Sequence, residues 1–183
     1  MTDSSVPEIY SDLADGMAAV IDTLTPQQWD APSPCEGWTA RDVLAHLIDT
    51  QRDFFARHDL ALPARPDLTD PAKAWAAHTE AVRALLADPE VPGRPFDGHF
   101  GPTTIGQTLL QFYGFDLIAH RWDLAAVTGT PYRFSETELD EIERNIAGWG
   151  EALYTDGVCR AGVTVPDAAD RQARVLAALG RVG

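Results

Sequence analysis

The stretch that decides the fold is residues 104–129, which read TIGQTLLQFYGFDLIAHRWDLAAVTG. Thr104 is a favourable helix N-cap, Gln107 stands where a capping box needs it, and Gly129 is a typical helix-ending residue. The stretch predicts one helix of roughly 24 residues, about 36 Å long at 1.5 Å per residue. Its apolar side chains recur at helical spacing, so we expect one face to pack against other helices.

Four more segments show helical periodicity with start and stop signals, and almost nothing is typical of a strand. They run from about Pro7 to Leu24, from the N-cap Thr39 (boxed by Asp42) to Arg57, from Thr69 or Asp70 to just before Asp88, and from Ser135 (boxed by Glu138) to Leu153. Asp167 would cap a short final helix that ends at Gly180. The sequence predicts a single all-α domain over residues 1–183, a helical bundle with short additional helices and an extended C-terminal tail.

Composition and charge limit the function classes. The 183 residues include 28 acidic and 14 basic side chains, a formal net charge of −14. Such a surface repels nucleic-acid phosphates and anionic membranes, so we expect neither partner. The absence of a secretion signal at the first residues predicts a cytoplasmic protein, and two distant cysteines, Cys35 and Cys159, argue against a disulfide scaffold.

Three polar residues lie on predicted apolar faces. At 100° per residue, Asp116 falls within the apolar stripe of the long helix, and His120 follows one turn later on the same face. His46 shares the face of Val43 and Phe54 on the second helix. A carboxylate within an apolar stripe costs several kcal/mol unless it is paired or bound to a cation. Two imidazoles and one carboxylate are typical of a metal site with open coordination positions, so we predict His46, Asp116 and His120 as metal ligands.

The same residues allow other interpretations. Asp116 and His120 could form a buried ion pair, with His46 as a hydrogen-bonded core histidine. Asp123 could replace Asp116 as a ligand, but we expect it to orient an imidazole or to pair with an arginine. His78 is a reserve ligand for which a core or solvated position is expected. Cys35, in the turn before the second helix, could touch the site, but we expect it to be a small packing residue.

Two segments resemble a known family. Residues 35–47, CEGWTARDVLAHL, resemble the start of the second helix in the DinB-like superfamily, specifically its actinobacterial branch with mycothiol-dependent maleylpyruvate isomerase. Residues 116–125, DLIAHRWDLA, followed by Thr128-Gly129, are similar to the second ligand motif of that branch. The tail with Val165-Pro166-Asp167 and the closing Leu-Gly-Arg is also similar to its members.

The resemblance implies a DinB-type four-helix bundle with a divalent metal, zinc first and nickel or iron as alternatives, held at His46, Asp116 and His120. It also implies a thiol-dependent transferase or isomerase. The isomerases have glutamate where Asp116 stands and carry a further C-terminal domain, for which the roughly 26 residues after Gly157 are too few. Both differences argue against isomerase activity.

The leading hypothesis is a metal-dependent S-transferase that adds a small thiol, mycothiol, to a small electrophile. A metal-bound thiol is deprotonated at neutral pH, so this chemistry needs no protein nucleophile. Competing hypotheses are a non-catalytic metal or small-molecule binder, a non-haem iron oxygenase and a purely structural bundle. The sequence leaves a homodimer open.

Overall fold

The structure, a computed structural model, describes residues 4–155, 162–166 and 168–181. Those residues form eight helices, two 3-10 turns, one π-helical segment and one small hairpin. The helices are α1 (Val6–Ile21), α2 (Ala40–Arg57), α3 (Pro71–Leu86), α4 (Glu90–Gly93), α5 (Ile105–Thr108), α6 (Phe115–Val127), α7 (Glu136–Trp149) and α8 (Arg171–Ala178). The strands are β1 (Pro95–Gly98) and β2 (Gly101–Thr104). The prediction of an all-α fold is confirmed.

Most helix starts follow from local capping. The predicted box at α2 is present, since the Thr39 hydroxyl accepts from the Asp42 amide and the Asp42 carboxylate accepts from the Thr39 amide. An equivalent box opens α7 at Ser135, and the Asp70 carboxylate caps α3. Thr104 caps α5, but the Gln107 side chain accepts from the Thr103 hydroxyl instead of completing a box.

Two boundaries differ from the sequence prediction. Helix α1 ends at Ile21 instead of Leu24, and α7 ends at Trp149 because Gly150 takes a φ of 52°. Leu153, predicted on the α7 seam, lies in the following 3-10 turn Gly150–Tyr154. A positive φ is disfavoured for residues with a Cβ, so glycine is suited to stop the helix there.

The segment predicted as a loop before the long helix contains an antiparallel hairpin. Pro95 pairs with Thr104, and Gly98 pairs with Gly101 across a turn at residues 99 and 100. Strands of four residues that contain proline and glycine are too short to show an alternating pattern, which explains why the sequence did not reveal them. The hairpin turn places the Phe100 ring 6.2 Å from the Phe112 ring, centre to centre.

The long helix is divided by a π-helical segment, Leu109–Gly114, between α5 and α6. The wider i→i+5 hydrogen-bonding pattern inserts about one extra residue per turn. Residues after this segment are therefore rotated relative to those before it, and a constant 100° step does not hold across it. The segment turns Asp116 out of the apolar stripe that Ile105 and Leu109 define.

Helix α6 lies between two apolar clusters. Leu117 and Leu124 belong to the larger cluster, which α1, α2 and α3 also build, while Ile118 and Trp122 belong to a smaller cluster with α7 and α8. Helix α1 packs against α3 and α6, and α2 packs against the same two helices. A helix covered on both sides is buried almost all round, as is α6 from Leu117 to Ala125.

The last described segment returns to α6. Asp170 caps α8, which ends near Gly180 as predicted, whereas Asp167, the predicted cap, lies outside the described residues, as does Cys159. Within the described residues, none of the helices has the length and apolar character needed to cross a membrane.

Candidate metal centre

The loop before α2 brings the Cys35 and Trp38 side chains to the site. An isolated bridge joins Pro32 to Thr39, and the Ser33 amide donates to the Trp38 carbonyl over 2.8 Å. This tight loop sets Trp38 at the start of α2, where its indole lies 5.0 Å from the His46 ring and 6.3 Å from the His120 ring, centre to centre. Trp38 thus covers both imidazoles.

His46, Asp116 and His120 converge. Taking one donor atom from each residue, all the donor atoms lie within 4.8 Å of one another. The His46 Nε2 is 3.3 Å from Asp116 Oδ2, and the two imidazole centres are 5.2 Å apart. The His46 and Asp116 side chains are 23% and 30% exposed. Asp116 is therefore a cavity-facing carboxylate instead of the buried one that the sequence predicted, because the π-helical segment shifts its direction.

The fully buried carboxylate of the site is Asp123. Its side chain is 0% exposed and accepts from His120 Nδ1 over 2.8 Å. It also accepts from the Arg181 guanidinium at both oxygens, over 2.7 and 2.6 Å. Burial raises the pKa of Asp123, but hydrogen bonds from Arg181 and His120 outweigh burial and hold that pKa well below its ordinary value. Asp123 thus does both things expected of it: it orients an imidazole and pairs with an arginine.

Cys35 contacts this buried pair. Its Sγ lies 3.2 Å from Asp123 Oδ2 and 3.8 Å from His120 Nδ1. Burial, with the charge of Asp123, raises the pKa of the thiol to about 12. A neutral thiol is a weak nucleophile, so Cys35 serves as an S–H donor to Asp123 at ordinary pH.

Cys35, His120 and Asp123 are a second group with donor atoms within metal-ligand distance of one another. However, both Asp123 oxygens already accept from Arg181, and the same guanidinium lies 3.7 Å from the Cys35 Sγ. A guanidinium at that position repels a cation. The first group, which faces the cavity, is therefore the better candidate.

The first group fits a divalent ion by its donor chemistry. Two imidazoles and one carboxylate are a ligand set found in catalytic sites with open positions. Because Asp123 accepts from Nδ1 of His120, that ring keeps Nε2 for coordination, as metal-binding histidines with an orienting carboxylate do. The ion pair predicted as an alternative, Asp116 with His120, is not formed; His46 pairs with Asp116, and His120 pairs with Asp123.

A cavity of about 900 Å³ opens on these residues. It has aromatic side chains from four parts of the chain: Trp38, Phe100, Phe112, Phe115, Trp149 and Tyr154. Cavities of this volume accommodate small-molecule ligands. The site thus combines candidate ligands on one wall with a largely apolar chamber beside them.

The other histidines lie apart from this group. His78 is completely buried and contacts Gln51, so the expected core position holds and the reserve role as a ligand receives no support. His58 packs against Phe54 and Phe96, and His99 lies at the cavity rim on the hairpin.

Sequence reasoning missed Trp38 and Arg181. Trp38 stands within the motif of residues 35–47, directly before the α2 cap, which was the available signal. Arg181 is 58 positions from Asp123 along the chain. No local pattern could have paired them, although a nearly buried arginine at the end of a short helix needs an acidic partner.

Comparisons with known proteins agree with this DinB-like helical class. The family described as the mycothiol maleylpyruvate isomerase N-terminal domain matches residues 10–125, which include residues 35–47 and 116–125. The chain belongs to this family, and the resemblance found in the sequence is confirmed.

The chain spans only part of the length of the curated relatives that it matches, 66% of one and 49% of another. An uncharacterized protein of Mycobacterium tuberculosis, found in two strains, is 30% identical over 128 residues, 69% of this chain and 66% of that protein. Proteins of Bacillus cereus and Bacillus anthracis named "Putative metal-dependent hydrolase" are 33% identical over 92 residues, 50% of this chain and 49% of theirs. No solved structure gives a significant match.

Proposed function

We propose that the chain binds one divalent metal ion through His46, Asp116 and His120 and acts as a metal-dependent S-transferase on a small thiol and a small electrophile. The observation that carries the proposal is the convergence of these three side chains on the wall of an apolar cavity. Membership of a mycothiol-related family supports a thiol, mycothiol, as cosubstrate. The names of the Bacillus relatives support metal dependence.

When bound, the metal would lower the pKa of the thiol and keep it ionised at neutral pH. The protein's own groups prepare the site. Asp123 holds the Nδ1–H of His120 and so fixes the tautomer that leaves Nε2 unprotonated. Arg181 keeps Asp123 ionised. In an addition, the thiolate sulfur would form a bond to an electrophilic carbon while the π bond at that carbon breaks. The thiol proton would pass to solvent, and the atom that receives the π electron pair would take up a proton from solvent, so that the thiol adds across the double bond.

Metal analysis of protein purified without added metal is the first test. We expect about one divalent ion per chain, with zinc as the first expectation and nickel as the second. Iron that oxidises in air would favour an oxygenase instead, because two histidines and one carboxylate also describe that site. An absence of bound metal, together with no uptake on reconstitution, would contradict the proposal.

The thiol is tested by kinetics. The metal-loaded protein should accelerate conjugation of mycothiol to a reactive electrophile at pH 6 to 7. The acceleration should shrink as pH rises through the free thiol's pKa, roughly 8.5, where the unassisted thiolate becomes abundant. Removing the metal or introducing His46→Ala should abolish it, and a cobalt-substituted protein should gain a thiolate charge-transfer band.

Two alternative functions predict different results. A non-catalytic binder would retain metal and cavity ligands without accelerating any thiol reaction. Hydrolysis, which the names of the Bacillus relatives favour, would appear as metal-dependent cleavage of an activated ester without added thiol. Activity on the ester that exceeds the thiol reaction would replace the S-transferase proposal.

A further inference from the structure

The two candidate imidazoles are held in different ways. His120 pairs through Nδ1 with the buried Asp123 carboxylate over 2.8 Å, and its side chain is 10% exposed. The His46 side chain is 23% exposed, and among the described residues its ring has one hydrogen-bond partner, Asp116, at Nε2. An ion bound between His46 and Asp116 would replace that bond. The His46 ring would then keep no hydrogen bond to the described protein groups, although metal-binding histidines are usually oriented through the second ring nitrogen.

Trp38 supplies the contact that His46 otherwise lacks. The indole lies 5.0 Å from the His46 ring at an interplanar angle of 48°, and 6.3 Å from the His120 ring at 26°. Aromatic pairs attract each other at centre separations of about 4.5–7 Å. The shorter of the two contacts is made to the imidazole without an orienting carboxylate. Packing against the indole can therefore fix the direction of the His46 ring.

A tight turn aims the indole. The Trp38 amide donates to the Cys35 carbonyl over 3.0 Å, and Gly37 between them has a φ of 77°. A positive φ at the third position is typical of a type II turn and favours glycine. A Cβ at Gly37 would meet no atom within 4 Å, so the backbone conformation, and not the available space, is what requires glycine there. On the other side, the Ser33 amide donates to the Trp38 carbonyl over 2.8 Å. The backbone of Trp38 is thus held from both directions.

We propose that Trp38 is the positioning residue of His46: its indole holds the imidazole in the orientation in which Nε2 faces Asp116. The inference rests on the proposed function, because it concerns the same metal centre. It goes further by giving an aromatic side chain at His46 the role that the Asp123 carboxylate has at His120. It also makes the turn at Gly37 a part of the site.

Metal affinity provides the first test, measured as competition for zinc between the full chain and a chromophoric chelator. Trp38→Leu keeps an apolar side chain but removes the ring, and it should weaken zinc binding by about threefold to tenfold, the range for one lost aromatic pair. Trp38→Phe keeps a ring and should stay within about twofold of the parent. Phe96→Leu, the matched control, removes a ring that lies 4.2 Å from His58, outside the candidate ligands, and should change nothing.

Three results of this titration would overturn the proposal. One is parent-like affinity in Trp38→Leu. Another is a failure of Trp38→Phe to restore the affinity, since a ring is the feature that the proposal requires. The third is an equal loss in Phe96→Leu, which would show that any lost ring weakens the site.

A pair of glycine variants tests the turn without removing a side chain from the site. Gly37 and Gly129 have similar φ angles, 77° and 72°, and neither would bring an added Cβ within 4 Å of another atom. Alanine strains both backbones in the same way. Gly37→Ala should weaken zinc binding by about threefold to tenfold because it turns the indole away, whereas Gly129→Ala at the end of α6 should not. Equal affinities in the two variants would contradict the role of the turn, including where Trp38→Leu does not fold.

Nuclear magnetic resonance of the histidine rings separates this inference from the proposed function. In chelator-treated protein, Trp38→Leu should shift and broaden the ring-proton resonances of His46, and those of His78 in the core should stay in place. An unchanged His46 resonance would refute the positioning role. If the chain takes up no metal, the proposed function fails and the His46 resonance still decides whether the indole holds the ring. If zinc binds equally to the parent and to Trp38→Leu, the positioning role fails alone.

Discussion

Two polar clusters among the described residues contain inward-facing histidines: one is buried in the core, and the other opens on the cavity. One, which we call the core cluster, consists of Tyr10, Gln51 and His78, on three helices of the larger apolar cluster. The other, which we call the site cluster, consists of His46, Asp116, His120, Asp123 and Arg181. From the sequence, His46, His78 and His120 were alike, since each shares a helix face with apolar residues.

The core cluster is neutral and closed. Gln51 Oε1 accepts from the Tyr10 hydroxyl over 3.0 Å and lies 3.2 Å from His78 Nε2. Burial lowers the pKa of His78 to about 4, so the imidazole is uncharged at neutral pH. The Gln51 amide nitrogen and His78 Nδ1 have no partner among the described residues. The three side chains are neutral, and none of them lines the cavity.

The site cluster is charged and open. It has two carboxylates, and four of its five members, all except Asp123, line the cavity. An inward-facing histidine therefore does not by itself indicate a metal ligand. A carboxylate within reach of the imidazole and access to a cavity separate a candidate ligand from a core residue.

Metal retention should separate the two clusters most strongly. His46→Ala or His120→Ala should abolish metal retention after a wash with chelator, because two remaining ligands hold a divalent ion poorly. His78→Gln, the matched change in the core cluster, should leave the metal content at that of the parent. The measurement is elemental analysis of each folded variant. Full occupancy in both alanine variants would refute the site, and loss in His78→Gln would refute the distinction.

The two carboxylates should give opposite results. Asp123→Asn removes the buried carboxylate that accepts two hydrogen bonds from the nearly buried Arg181, and we expect a loss of about 3–5 kcal/mol in the free energy of unfolding. Asp116→Asn changes a partly exposed pair and should cost less than about 1 kcal/mol. The order should be reversed for metal affinity, because Asp116 is the proposed ligand. Asp123 acts on the metal only through His120, so Asp123→Asn should weaken metal affinity by about 10- to 100-fold, and Asp116→Asn should weaken it more.

Urea unfolding of the metal-free variants and metal titration of the folded ones check this pair. A greater loss of metal affinity in Asp123→Asn than in Asp116→Asn would mean that Asp123 is the coordinating carboxylate. Equal stability of the two variants would mean that the Arg181–Asp123 pair does not contribute as its burial implies.

The core cluster should be visible in the pH dependence of stability. His78 has a folded pKa of about 4 and an ordinary value near 6.5, so the unfolded chain binds the proton first. The free energy of unfolding should therefore fall as pH falls from 6.5 to 4, by about 3 kcal/mol from this residue. His78→Gln should lack this component. Parallel pH curves for the parent and the variant, from urea unfolding of metal-free protein, would contradict the neutral core histidine.

The sequence predicted what depends on neighbours along the chain. The Thr39 cap, the span of α2 and the inward direction of His46 all follow from local spacing. Asp116 was misplaced because a π-helical segment broke the angular step, and the hairpin was too short to show a pattern. The pairing of Asp123 with Arg181 depends on how the end of the chain folds back, which periodicity does not encode.

That last contact yields the smallest expected effect. Arg181→Lys keeps the positive charge near Asp123 but removes the bidentate geometry of the guanidinium. We expect about 1 kcal/mol less stability and a severalfold weaker metal affinity, because a less constrained Asp123 holds the His120 ring less firmly. Arg133→Lys, the same change in the exposed pair with Asp170, is the matched control and should alter neither quantity measurably. A loss of stability in Arg181→Lys with unchanged metal affinity would show that Arg181 only anchors the tail. A loss of both would link the end of the chain to the metal centre, a link that the core cluster of Tyr10, Gln51 and His78 does not have.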